Sequence, residues 1–186
     1  GHNAKIISPQ FVKPFVKGQK NDGNDAEAIA IALQQPTMRV VPPRSEEQQD
    51  MQSLHRARQR VVNHRTATVC QIRGLLLERG IVIGASITRL RRAVPEILED
   101  AENGLSHSLR ASVHELYALI AYLDDRIKYF DRQIQIVFRQ SSDCQRIASI
   151  PGVGPKTATA IVAAAGNGAE FYNGRHFAAW LGLVPR

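Results

Sequence analysis

The sequence predicts a mainly α-helical protein with a small α/β part at its N-terminus, and three observations carry that prediction. Val113, Leu116, Ile120, Leu123, Ile127, Phe130, Ile134 and Val137 follow one another in alternating steps of three and four, the repeat of a helix that packs along one seam. A glycine-rich turn, "PGVG" at 151–154, stands between two further helical patterns. Strand signals are confined to the first 43 residues, in "AKIIS" and "MRVVPP".

Residues 1–43 read in order as a short strand, a proline-broken basic loop ("PQFVKPFVKGQK"), an alanine-rich helix ("DAEAIAIALQQ") and a second short strand closed by two prolines. This is the order expected at the edge of an α/β layer. Two strands alone make a marginal sheet, so further strands are expected from outside the sequence. At the start of the helix, Asp22 and Asp25 lie three residues apart, behind a stretch that holds four lysines and no acid. Spacing allows two readings: helix capping, which Asp commonly provides, or half of a metal site. Asn21 or Asn24 offers an alternative cap.

Residues 44–145 read as two long helices forming a coiled-coil hairpin. The earlier helix keeps the three-four alternation at Leu54, Arg58, Val61, Arg65, Thr68, Ile72, Leu75 and Arg79, with arginine at three of the eight positions. An unpaired guanidinium in a seam is costly, so these arginines must meet acids or a polyanion, or reach past the seam to water. Residues 94–131 hold eight Asp or Glu against three Lys or Arg, whereas residues 51–80 hold six Arg and one Glu. Opposite charge on the two helices favours an antiparallel pairing. Two uses are open for the arm: a structural hairpin or dimerisation element, or direct contact with RNA or DNA through Arg56, Arg60, Arg65 and Arg73.

Residues 146–186 open on "IASIPGVGPKTATAIVAAAG". A helix end, a Pro-Gly-Val-Gly turn and a new helix beginning at Pro155 form a helix-hairpin-helix pattern. Gly152 and Gly154 allow a sharp turn and leave the amides uncovered around Val153, while the new helix's N-terminus attracts anions. Lys156 and Thr157 add a cation and a hydroxyl. A plain turn between helices is the structural alternative. A nucleotide P-loop is excluded, because its Gly-Lys-Ser/Thr element is missing.

Composition narrows the partner. The chain has 186 residues, is 44% hydrophobic and carries a net charge of +7, with 24 Lys and Arg against 17 Asp and Glu. That balance favours a polyanion, nucleic acid first. Cys70 and Cys144 are too few for a disulfide framework and lack zinc-site spacing, so reduced, buried thiols and a cytoplasmic location are expected. No apolar run reaches membrane-spanning length, and no membrane partner is expected.

"KNDGNDAEAIA", followed by "VVPPRSEEQQDMQSLHRARQRVVNHRTATVCQIRGLLLERGI", "IPGVGPKTATAIVAAAG" and "FAAWLGLVP", resembles the 110 family of bacterial insertion-sequence transposases, relatives of the pilin-gene invertase. The resemblance covers essentially the whole chain. It implies a site-specific DNA recombinase with a ribonuclease-H-like (RuvC-like) catalytic domain, a coiled-coil insertion and a C-terminal transposase domain. It further implies that four acids, Asp-Glu-Asp-Asp, hold Mg²⁺ or Mn²⁺, that a C-terminal serine is the DNA-linked nucleophile, and that a structured guide RNA takes part. Asp22 and Asp25 match the third and fourth acids, which makes them the catalytic metal ligands, with Lys20 placed to hold a nearby phosphate. Residues 1–43 then correspond to the C-terminal part of the RuvC-like domain, 44–145 to the coiled coil and 146–186 to the start of the transposase domain.

The first two acids and the serine have no counterpart in this sequence, and Ser141, Ser142 and Ser149 precede the hairpin, out of the family's order. An internal portion of a transposase, inactive by itself, is therefore expected, with DNA and RNA binding retained and self-association through the arm. A ribonuclease-H-like junction nuclease and a non-enzymatic coiled-coil nucleic-acid-binding module are the alternatives.

Overall fold

A computed structural model describes residues 4–19, 21–38 and 40–183. The chain divides into two units, Gly1–Ser45 and Glu46–Arg186.

In the first unit, β1 (Ile6–Ile7) pairs antiparallel with β2 (Val40–Val41), Ile6 opposite Val41 and Ile7 opposite Val40. The basic stretch expected to be a loop is largely helical instead. Helix α1 (Pro9–Val12) is followed directly by a 3-10 turn at Lys13–Phe15. Its prolines explain the difference: each sits in the first turn of its element, where the fixed φ favours helix and the missing N–H has no intrahelical acceptor to lose. Helix α2 (Asp22–Leu33) follows, burying Ala28 and Ala32.

The second unit is built on α3 (Glu46–Leu77) and α5 (His107–Gln140), 32 and 34 residues long, packed side by side. The seam expected on α5 is the seam observed: all eight residues are buried or half-buried. On α3 the expected seam drifts at its end, where Leu76 is buried in place of Leu75 and Arg79 is exposed. A straight helix turns about 20° per heptad away from a strict seven-residue repeat, enough to bring the neighbouring position inward.

Between them in sequence lies a third helix, α4 (Ile87–Glu99), where the sequence predicts only two for residues 44–145. Ser86 caps it by accepting the Thr88 amide, and Leu90 and Val94 are buried. Pro95 stands inside α4 and cannot donate to the Arg91 carbonyl one turn back. That carbonyl accepts the Tyr117 hydroxyl at 3.1 Å instead. Arg110 closes the other end, donating to the carbonyls of Ile97 and Asp100.

Two apolar cores result. Val69, Ile72, Leu76, Leu90, Val94 and Ile120 are part of the one where α4 meets the arm. Met51, Cys144, Ala158, Val162 and Ala163 form the other, where α6 (Ser142–Ala148) and α7 (Pro155–Ala165) pack on the opposite end. Cys144 is buried as expected, but Cys70 is exposed, because it falls on the outer face of α3. Helix α8 (Gly174–Trp180) carries a group of aromatic rings in edge contact, Phe171 with Phe177 and Trp180. Among the described residues no helix is long and apolar enough to cross a membrane.

Candidate metal-ligating acids and nucleic-acid interface

Asn21 is the N-cap of α2: its side chain accepts the Asn24 amide at 2.7 Å. Asp22 and Asp25 are therefore first-turn residues that do not cap. Each favours the positive end of the helix, and their spacing puts them on one face. Asp22 is exposed and Asp25 half-buried, and neither carboxylate has a hydrogen bond or ion pair among the described residues. Asp25 lines a groove of about 510 Å³ with Lys5 and Lys13. Carboxylate oxygens suit a hard cation, and Mg²⁺ takes one or two carboxylates and completes its shell with water and phosphate oxygen. The donor set fits that ion in kind. Among the described residues, however, no group of three His, Cys, Asp or Glu comes together. Lys20 lies outside the described residues, as do Val184 and Pro185 of the last family motif.

The four arginines predicted on the first arm helix divide into two pairs. Arg56 and Arg60 are exposed on α3, with no hydrogen bond or ion pair among the described residues. Arg65 is turned into the arm, 2.8 Å from Asp124, which also takes Arg91 of α4. Arg73 donates to the Ala85 carbonyl, and its Nε is buried without a partner. Arg65 is held because it stands in the seam, Arg73 because the chain that follows α3 folds back onto it. Arg58, one of the seam arginines, donates to Asp131 of α5 at 2.7 Å. Stepping seven residues along α3, from Arg58 to Arg65, steps seven back along α5, from Asp131 to Asp124, so the helices run antiparallel as their charges predict.

At the hairpin, Val153 donates its amide to the Ile150 carbonyl at 3.0 Å, closing a turn with Pro151 and Gly152 at its centre. Gly152 has φ +86°, which a type II turn requires at that position and L side chains disfavour. Gly154 differs: it is the N-cap of α7 with φ −90° and ψ 176°, extended backbone open to any residue, and a Cβ there would meet nothing within 4 Å. Val153 packs its side chain on the core that holds Met51 and Cys144. Thr157 is exposed at the first turn of α7. Lys156 reaches back to Asp131, Nζ to Oδ1 at 2.9 Å.

Asp131 is the residue that sequence reasoning missed. One of its oxygens takes both Arg58 of α3 and Lys156 of α7, joining three helices. Burial pushes its carboxyl up, but hydrogen bonds and charge from Arg58 and Lys156 outweigh that and hold it below the usual carboxylate value. His55 was also missed. Its Nε2 lies 2.9 Å from the buried Thr159 hydroxyl, which donates in turn to the Pro155 carbonyl at 2.8 Å. Since the hydroxyl hydrogen is committed to the carbonyl, the imidazole is the donor of the first bond. Burial, then the charge of Arg58, lowers the His55 pKa. The seven-residue step between Asp124 and Asp131, matching Arg65 and Arg58, was the available signal for the first; no pattern pointed to the second.

Residues 2–80 match a family model of the DEDD type described as "Transposase", and residues 144–186 match one described as "Transposase IS116/IS110/IS902 family". A "Probable family 20 transposase" of Pseudomonas aeruginosa is 45% identical over 190 residues, which takes in 100% of this chain and 55% of the relative. The transposase for insertion sequence element IS1111A of Coxiella burnetii is 40% identical over 100% of this chain and 51% of its own length. That for IS1328 of Yersinia enterocolitica is 39% identical, over 100% and 55%. The chain thus spans about half the length of the curated relatives it matches.

Proposed function

The chain belongs to the IS110 family of transposases, and on that premise we propose that it is the segment of a site-specific DNA recombinase that supplies two metal-ligating acids and part of the nucleic-acid grip. The observation that carries the first role is the cap of α2. Because Asn21 satisfies the helix end, Asp22 and Asp25 are left on one face with no hydrogen bond or ion pair among the described residues. An ion held there, Mg²⁺ or Mn²⁺, would polarise a phosphodiester and stabilise its attacking and leaving oxygens. The two aspartates would hold that ion from the first turn of a helix, where a backbone fixed by its cap keeps their spacing constant. Lys20, directly before the cap, is the residue for an adjacent phosphate.

The second role falls to Arg56 and Arg60 on α3 and to the α6–α7 hairpin, which hold backbone phosphates of DNA and of a structured guide RNA without reading sequence. Arg65 and Arg73 hold the arm together instead. Self-association, if it uses the arm, takes an outer face, since the seam of α5 is filled by α3 within the chain. A cytoplasmic location goes with that proposed work on DNA and RNA. The 186-residue chain by itself is not expected to cleave DNA, because the family resemblance implies four acids for the metal chemistry and Asp22 and Asp25 match two of them.

The test belongs to the longer transposase that contains this segment. Asp22→Ala or Asp25→Ala should abolish strand cleavage with Mg²⁺ or Mn²⁺ while duplex binding stays within about twofold, since only the chemistry needs the ion. Undiminished recombination in either variant would refute the metal assignment.

A further inference from the structure

The cleft between α3 and α7 combines features that neither helix provides alone. Its volume is about 360 Å³, its floor includes Ala160 and Ala163, and Arg56, Arg58, Gln59 and Lys156 stand round it. Among the described residues no acid lines it. Behind Arg58 and Lys156 stands Asp131, which takes both, so two of the three cations share one carboxylate. The cations are not equally committed to it. The Arg58 side chain is 19% exposed and fixed along the arm, whereas that of Lys156 is 54% exposed and free to swing at its flexible stem. Arg56, beside them, has no hydrogen bond or ion pair among the described residues.

We propose that this cleft is a docking site for one backbone phosphate of a nucleic acid, and that Asp131 is the internal counter-ion from which the incoming phosphate draws Lys156 away. This rests on the nucleic-acid-binding part of the function proposed above and gives it a defined place and a competitor. The small alanines let a phosphodiester approach α7, Arg56 and Lys156 close on it from two helices, and the Lys156 and Thr157 amides in the first turn of α7 have no intrahelical acceptor. Asp131 stays with Arg58, so the arm keeps its register while the lysine changes partner. The carboxylate thereby lowers the affinity of the phosphate that enters the cleft, which must displace it from Lys156.

The 186-residue chain is titrated with a fluorescent DNA duplex and with an RNA hairpin of the same charge, over a series of salt concentrations. Arg56→Gln and Lys156→Gln should each weaken binding about 5- to 10-fold at low salt and reduce the slope of log affinity on log salt by about one, the value for one lost phosphate contact. Asp131→Asn should bind several-fold more tightly, and adding Lys156→Gln to it should remove the gain. A larger loss on one probe names DNA or RNA as the occupant; equal losses mean that both use the site. Affinities and slopes of Arg56→Gln and Lys156→Gln indistinguishable from the parent would overturn the proposal, and so would an Asp131→Asn chain, folded by circular dichroism, that binds no more tightly. Where Asp131→Asn does not fold, the two cation variants decide alone, because both leave the Arg58–Asp131 pair in place. Cleavage by the longer transposase depends on Asp22 and Asp25 and is read separately, so loss of one activity does not imply loss of the other.

Discussion

Arg65 donates to Asp124 across the helical arm at 2.8 Å, and the same carboxylate takes Arg91 from α4. Asp124, like Asp131, thus neutralises two cations at a junction of three helices, with its side chain only 18% exposed. Replacing it by Asn leaves two guanidinium groups without their charge partner. Asp124→Asn should lower stability by about 1–3 kcal/mol, the usual range for a partly buried charged hydrogen bond that loses one partner. Urea denaturation followed at 222 nm would read this as a lower midpoint with an unchanged m-value.

The hairpin glycines should separate cleanly. Gly152→Ala forces an L side chain to φ +86° and should cost about 1–2 kcal/mol. Gly154→Ala, at φ −90° with open space round its Cβ, should leave stability within about 0.5 kcal/mol. Thermal denaturation of the two variants in parallel tests this. Similar losses in both would mean that the turn is not of the type described.

The His55–Thr159 bond makes stability depend on pH in a stated direction. The pKa of His55 lies below its ordinary 6.5 in the folded chain, because of burial and then of Arg58. As pH falls below that ordinary value the unfolded chain takes up a proton that the folded one refuses, so stability drops until the folded pKa is passed and then levels off. His55→Gln keeps a donor for Thr159 and removes the titration. Its urea midpoint between pH 7 and pH 5 should be flatter than the parent's; parallel curves would show that another group causes the loss.

The arm was legible because its signal is repetitive: eight apolar residues at regular steps on α5 can hardly be anything else, and opposite charge on its partner gave the direction. Helix α4 was not, since Pro95 within it removes a helix hydrogen bond and the repair comes from Tyr117, a residue 22 positions further on. The α2 start was legible as a pattern of acids and asparagines, but not which of them caps; only the 2.7 Å bond from Asn24 to Asn21 decides that. Asp131 escaped notice for a related reason. Its two partners belong to helices far apart in sequence: the seven-residue step from Asp124 answers Arg58, but no pattern points to Lys156 on the same oxygen.

The arm also has a length. With 34 residues at about 1.5 Å each, α5 is a rod of about 50 Å, close to one and a half turns of B-form DNA at about 34–36 Å per turn. Its two ends are finished differently, one by the apolar core with α4, the other by the α6–α7 hairpin and its cationic cleft. The rod is therefore a ruler, marked in heptads. Removing one heptad from each helix would keep every seam contact in phase while moving the ends about 10 Å closer, or about three base pairs along a duplex.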